Sequence, residues 1–191
     1  MQQDSNSTGH NLTGQLLIAM PGIGDPRFER AVILVCEHSK DGTMGLILNK
    51  PSEEVSFHDL AEQLGLGTPS GREQVYFGGP VEMGRGFVLH SGEYVSGRSS
   101  HLVLDGVRLS SSLDVLEDMV TGTGPQRARL MLGYAGWGAG QLEGEILANG
   151  WLSAPAEAGF VLADGGAEMW GAALKRLGVS PLQLSAKAGH A

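Results

Sequence analysis

Cys36 and His38 stand two residues apart in AVILVCEH. On a strand that spacing turns a thiol and an imidazole to one side and Glu37 to the other. A metal held there would need further ligands from elsewhere. His90, His101 and Glu143 are the candidates, but no spacing demands them. A cysteine in so apolar a run more often serves as a small hydrophobe, so a structural pair is expected, with neither a metal nor a reactive thiol. Ser91, within LHSG, lacks a nucleophile-elbow context, and neither GxSxG nor SxxK occurs. Glu143 and Glu145 would sit about 200° apart around a helix, so they cannot act as a carboxylate pair. GIGDPR starts like a dinucleotide fingerprint, but Arg27 holds the third-glycine position and a strand follows where the phosphate-binding helix should begin. Gly136, Gly138 and Gly140 do precede a helix, although Glu143 and Glu145 in its opening turns oppose an anion there. Trp137, between two glycines, is the aromatic best placed to line a cleft, with Tyr134 beside it. No catalytic residue, metal ligand or cofactor motif is assigned.

Composition narrows the partners. The formal net charge is -8, from 13 Lys and Arg against 21 Asp and Glu. The cations are dispersed, Lys175 and Arg176 being the sole adjacent pair, so contact with nucleic-acid phosphates or anionic lipid is disfavoured. The single cysteine excludes an intramolecular disulfide and every multi-cysteine metal pattern, which fits a reducing cytoplasm. The N-terminus MQQDSNSTGHN has neither a positive n-region nor an apolar h-region, so no signal peptide is expected. Apolar runs reach about five or six residues, far short of the ~20 that span a bilayer. Hydrophobic content of 41% and charged content of 18% suit a globular protein, and 191 residues suit one domain. Glycine is abundant, with 30 residues scattered at element ends, so many sharp turns are expected.

The elements that must position these residues follow from periodicity. Residues 1–12 are polar and read as a tail, leaving 13–191 as the domain. Strands are expected at 16–20, 31–38 and 43–50, the last two as a hairpin around Ser39-Lys40-Asp41-Gly42. Ser56 and Asp59 form a capping signal for a helix burying Phe57, Leu60, Ala61 and Leu64. Short strands follow at VYFGG, GFVLHS and HLVL. A second helix from about Ser111 buries Leu113, Leu116, Met119 and Val120. A strand at 128–134, a turn holding Trp137, an acidic helix at 142–147 and a strand near Trp151 come next. GFVLA (159–163) is predicted as a strand, and a last helix buries Trp170, Ala173, Leu174 and Leu177. Strands dominate the first half and are expected to pair locally, so the fold class is α+β.

Five segments, in order, carry a resemblance: LLIAMPGIGDPRFERAVILVCEHSKDGTMGLILNKP, GGPV with RGFVLHS, LDVL, LGYAGWGAGQLEGEILANGWL and LSAKAGHA. The chain resembles the YqgE/AlgH family of bacterial proteins over nearly its whole length. Ile23 replaces the usual methionine, and SSSLDVL stands where a threonine-rich version is common. The resemblance implies one compact α+β domain, its strongly bent, mostly antiparallel sheet forming a pseudo-barrel with helices packed outside. It supplies no activity. The family is largely uncharacterised and bears an inherited label of transcriptional regulator, without a recognised DNA-binding domain.

The expected role is therefore non-catalytic binding or regulation in the bacterial cytoplasm, through a protein or small-molecule partner held near the glycine-rich loops. The expected lining is Arg27, His38, Asn49, Gly79, Pro80, Arg85, Tyr134, Trp137 and Gln141. Arg27 and Arg85 would pair with a carboxylate or phosphate, Asn49 and Gln141 would orient the partner, and Trp137 would offer a flat apolar face. On that view Trp137→Ala costs less stability than Trp170→Ala. The alternatives are a small-molecule or metal-dependent enzyme on the same loops, and direct DNA binding.

Overall fold

A computed structural model describes residues 11–95 and 99–187. Its nine strands form one sheet in the order β6-β7-β5-β8-β3-β2-β1-β9, with β4 lying parallel to β8 and every other pairing antiparallel. The strands are β1 (Gln15–Ala19), β2 (Val32–Ser39), β3 (Gly42–Ile47), β4 (Val75–Phe77), β5 (Val81–Ser91), β6 (Ser100–Leu104), β7 (Val107–Ser110), β8 (Ala128–Gly138) and β9 (Trp151–Pro155). Among the described residues six α-helices accompany them, α1 (Phe57–Gln63), α2 (Leu113–Thr121), α3 (Gln141–Leu147), α4 (Ala158–Val161), α5 (Glu168–Arg176) and α6 (Pro181–Lys187), with one 3-10 turn at Pro26–Phe28.

The burial pattern shows how the sheet bends. Along β2, Val32, Leu34 and Cys36 join one core cluster, while Ile33 and Val35 join another, so this strand is buried on both faces. The first cluster also takes Phe87 and Leu89 of β5, Leu109 of β7 and Met131 of β8. Strands from the two ends of the sheet share one core only if the sheet curls round to face itself, and the result is a single α+β domain with a half-barrel sheet. Helix α5 lies against β1 and β2, contributing Trp170, Ala173 and Leu174. On the outer face of β5 and β8, α1 and α2 bury Phe57 and Val115 against Val88 and Leu130.

Several elements follow the sequence directly. The β2–β3 hairpin forms, with Ser39 opposite Gly42. Ser56 and Asp59 make a reciprocal capping box at α1, the Ser56 hydroxyl accepting from Asp59 N and the Asp59 carboxylate from Ser56 N. Other expectations are corrected. Residues 159–163 fall in helix α4 and the turn after it, because a four- to five-residue apolar run fits a helical turn as well as a strand. In α2 the buried residue is Val115, and Leu113, at the first position, is 51% exposed. Leu177 is likewise at the surface, just past α5. Strand β7 and helix α6 lie outside the elements expected from periodicity. Pairing is not confined to neighbours: β1 pairs with β9 and β3 with β8. Leu12, placed in the tail by composition, is buried beside Leu17, while residues 1–10 lie outside the described residues.

Candidate functional site

Strand β8 runs four residues past its expected end and puts Trp137 in the sheet, opposite Thr43 of β3. Gly140, at φ 72°, then reverses the chain into α3. The first residue of that helix, Gln141, reaches back so that its Oε1 accepts from Gly138 N at 3.0 Å. One turn on, Glu145 comes beneath Gln141, whose Nε2 donates to Glu145 Oε1 at 3.0 Å. The other carboxylate oxygen accepts from two indoles, Trp137 Nε1 at 3.0 Å and Trp151 Nε1 at 2.8 Å. The two indoles meet edge to face at 6.0 Å, and Phe28 meets Trp151 in the same way at 5.7 Å.

This cluster forms the wall of a cleft of about 760 Å³, open between the loop at residues 21–28, Pro80-Val81, and α3 with the turn after it. The loop is held by Asp25, which accepts from Arg27 N at 2.9 Å and from the Arg27 guanidinium at 2.7 Å. Those bonds hold the Asp25 carboxyl below its usual range. Arg27 and Gln141 stay exposed at the cleft.

A second cleft of about 750 Å³ shares Val81, Gly136 and Trp137 with the first and is lined by His38, Thr43 and Tyr134. His38 Nδ1 lies 2.8 Å from Thr43 Oγ1, and Nε2 lies 3.5 Å from Glu143 Oε1. The imidazole thus bridges a hydroxyl and a carboxylate, with its side chain 9% exposed. Cys36 also lines this cleft, but its thiol is turned inward. A β-bulge moves the pairing from Val35↔Gly45 to Glu37↔Met44, breaking the simple alternation assumed for Cys36 and His38. The thiol is buried among Leu34 and Leu46 and points to Leu34 O at 3.6 Å, and burial pushes its pKa up, away from the reactive thiolate. The other residues considered as metal ligands are dispersed. His90 is fully buried against Ser110 at 2.8 Å, and His101 lies 3.7 Å from Glu37. Among the described residues, no three His, Cys, Asp or Glu side chains are grouped to hold a metal ion.

Of the nine residues selected from sequence, Arg27, Pro80, Trp137 and Gln141 meet at the first cleft, and His38, Tyr134 and Trp137 at the second. Three are placed elsewhere. Asn49 is 6% exposed and ties two strands' ends together, its Oδ1 accepting from Val32 N and its Nδ2 donating to Arg30 O, both at 2.8 Å. Gly79 packs so tightly that a Cβ there would stand 2.0 Å from the Tyr134 carbonyl carbon. Arg85 pairs with Glu82 at 3.3 Å and lies over the Phe87 ring at 5.0 Å. Trp137 is only 7% exposed, so it is a buried wall and not the flat open face expected. Sequence reasoning missed Glu145 as the hub, along with Phe28, Trp151 and Thr43. One signal was present: Gln141 and Glu145 sit four apart on a helix between two tryptophans.

The match to known proteins decides the family. A model of AlgH-like proteins covers residues 16–182. The chain belongs to the AlgH-like family. A UPF0301 protein of Ruegeria pomeroyi is 54% identical over 184 residues, covering 95% of this chain and 100% of that protein. A UPF0301 protein of Rhodospirillum rubrum is 48% identical, covering 94% of each chain. Among solved structures, the AlgH protein of Pseudomonas aeruginosa superposes with a TM-score of 0.77 at 41% identity over the whole of both chains. A Corynebacterium diphtheriae protein, 24% identical with a TM-score of 0.71 over 91% of this chain and 89% of its own, shares the fold. In this AlgH-like chain no helix among the described residues is long and apolar enough to cross a membrane.

Proposed function

We propose that this AlgH-like chain is a non-catalytic binding protein acting in the cytoplasm, its ligand a small molecule or a partner's peptide end that bears a carboxylate or phosphate. One observation carries this reading: Arg27, Pro80, Trp137 and Gln141, far apart in sequence, line one cleft of about 760 Å³. That volume lies within the roughly 300–1,000 Å³ usual for small-molecule sites. Glu145 is engaged by two indoles and an amide, so the fixed aromatic wall costs little to order on binding. Arg27, its guanidinium held at the cleft by Asp25, supplies N–H donors and Gln141 the orienting amide. Any regulatory effect then passes through a protein or metabolite, since neither α1 nor α2 carries a Lys or Arg to meet phosphates. Native mass spectrometry of the untagged protein tests this. A bound species should be present in the wild type and absent from Arg27→Ala and Gln141→Ala; a species retained by both variants would remove the cleft from the reading.

A second reading rests on His38, which stands within hydrogen-bond reach of the Thr43 hydroxyl and near the Glu143 carboxylate. That order of groups suits proton abstraction from a hydroxyl. Thr43 is only 7% exposed, which places the binding reading first. Turnover of an ester panel by the wild type, lost in both His38→Ala and Thr43→Ala, would reverse that order.

A further inference from the structure

Strand β8 has neighbours on both sides for only part of its length. From Leu130 to Leu132 it lies between β5 and β4, and from Ala135 to Gly138 it pairs with β3. On its β5 side the last partner is Val81, opposite Tyr134, so among the described residues no strand pairs with that side of residues 135–138. A Cβ on Gly42 of β3 would stand 2.7 Å from the Trp137 carbonyl oxygen, so the backbone groups of Trp137 face β3. Alternation then turns the N–H and C=O of Gly136, an exposed residue, to the open side. Gly138 N agrees with this direction, because it is bonded by a side chain, Gln141 Oε1 at 3.0 Å. Such edges are ordinarily guarded by a charge, a proline or a bulge, yet residues 135–138 are Ala-Gly-Trp-Gly.

The two clefts described above meet along this edge and share Val81, Gly136 and Trp137. Trp137 belongs to the core cluster of Ile33 and Trp151, on one face of the sheet. Tyr134 packs against the cluster that holds Cys36 and Leu46, on the other. A strand laid along the edge turns successive side chains to opposite faces, one set against the Trp137 wall and the other onto Tyr134.

We propose that an extended C-terminal segment of a partner protein, apolar at alternate residues, adds to β8 as a strand at Gly136, its main chain paired with the open edge. The proposal rests on the first cleft being a binding site, and it takes the carboxylate of that reading from the end of the segment. The open backbone selects this occupant. A small molecule or a docked helix leaves the Gly136 groups to water, whereas an extended chain supplies donors and acceptors at strand spacing. The loop at residues 21–28 and α3 wall the cleft beside the edge, so a single segment enters where the sheet edge of a second folded copy would strike them.

The probe is an acetylated peptide of about seven alternating Val and Thr residues, within the usual strand length, with a free C-terminal carboxylate. Versions N-methylated at one residue at a time remove a main-chain donor and keep every side chain. Titration into isotope-labelled full-length protein, followed by amide shifts, should perturb Gly136, Trp137 and Gln141. N-methylation should weaken binding about tenfold or more at every second residue and leave the residues between nearly unchanged, which is the period of a paired strand. Uniform tolerance of N-methylation, shifts elsewhere, or no binding at millimolar peptide overturns the proposal. A dimer seen by sedimentation without peptide, with the Gly136 amide shifting as it dissociates on dilution, also overturns it, because the occupant is then a second copy. Arg27→Ala and a C-terminally amidated probe separate this proposal from the reading it rests on. Binding that falls with both changes but tolerates every N-methyl group keeps the cleft and removes the strand. A period-two pattern that survives both keeps the strand and removes Arg27 and the carboxylate from the reading.

Discussion

Glu145 and Trp151 meet at 2.8 Å, and the carboxylate oxygen that accepts from this indole accepts from Trp137 as well. Two rings from different strands are thereby set against each other by one helical side chain.

Removing that acceptor should be costly. Glu145→Ala leaves two indole donors without their partner, and a buried unsatisfied donor costs about 1–3 kcal/mol. We expect a loss of about 2–4 kcal/mol by urea melt, and a smaller one for Glu145→Gln, which keeps one acceptor oxygen. Equal losses for the two variants would mean that the carboxylate's charge, and not its hydrogen bonds, holds the rings.

Trp137→Ala and Trp170→Ala should be similarly destabilising, at about 3–5 kcal/mol each. Their exposures are 7% and 8%, and each indole N–H is bonded, Trp170 Nε1 to Ala19 O at 2.8 Å. This replaces the sequence-based expectation that Trp137 would be the cheaper loss. Paired urea melts compare them, and a Trp137→Ala loss below about 1 kcal/mol would restore that expectation.

His90 gives the protein a falling stability in mild acid. Its ring is fully buried, and desolvation lowers its pKa below the usual 6.5, with Arg108 adding to the effect while the Ser91 carbonyl and Glu93 oppose it. The unfolded chain therefore takes up a proton near pH 6.5 that the native state refuses. Stability is fully present above pH 6.5 and declines as pH falls toward the native pKa, by at most about 1.4 kcal/mol per pH unit for one proton. Asp25, Asp59 and Glu93, whose carboxyl pKa values are lowered, add a separate decline at more acidic pH. His90→Asn should be less stable at pH 7 yet show a flatter profile between about pH 5 and 6.5. Denaturation midpoints across pH read this out, and an unchanged slope would assign the acid sensitivity elsewhere.

Arg129 should tolerate neither truncation nor exchange for lysine. It is 3% exposed, its guanidinium donates to the carbonyls of Leu48, Val161 and Ala163, and it lies 4.1 Å from the centre of the Tyr76 ring. Burial lowers its pKa. Arg129→Ala uncaps three carbonyls and should cost about 3–5 kcal/mol, and Arg129→Lys should recover less than half of that, since a point charge cannot reach three carbonyls as a planar fork does. Thermal melts distinguish the outcomes, and full rescue by lysine would show that charge alone suffices.

The parts of this molecule that sequence revealed are those governed by neighbours a few residues away. Ser56 and Asp59 cap α1 as their spacing requires, and the β2–β3 hairpin closes at its turn residues. Asn49 misled, because a polar residue at the end of an apolar strand looks like a ligand contact when its real partners, Val32 N and Arg30 O, lie 17 and 19 residues away. Cys36 and His38 misled for a related reason, since a bulge that breaks the alternation leaves no mark in the composition of the strand. Glu145 was visible only as an acid on a helix, and its role depends on Trp137 and Trp151 converging from two strands.

The strand order also sets a timetable for synthesis on the ribosome. Strands β1, β2 and β3 emerge first and pair with one another, but the block they make has two open edges. The β3 edge waits for β8, where Gly45 finds Ala135, and the β1 edge waits for β9, where Leu17 finds Ser153. A nascent chain that had made only these pairings would present two unpaired edges and two apolar faces, which favours aggregation. The last fifth of the chain, which adds β9 and then the α5 side chains over β1 and β2, is what closes it, so a ribosome stalled before residue 150 would hold a sticky intermediate and not a smaller version of the fold.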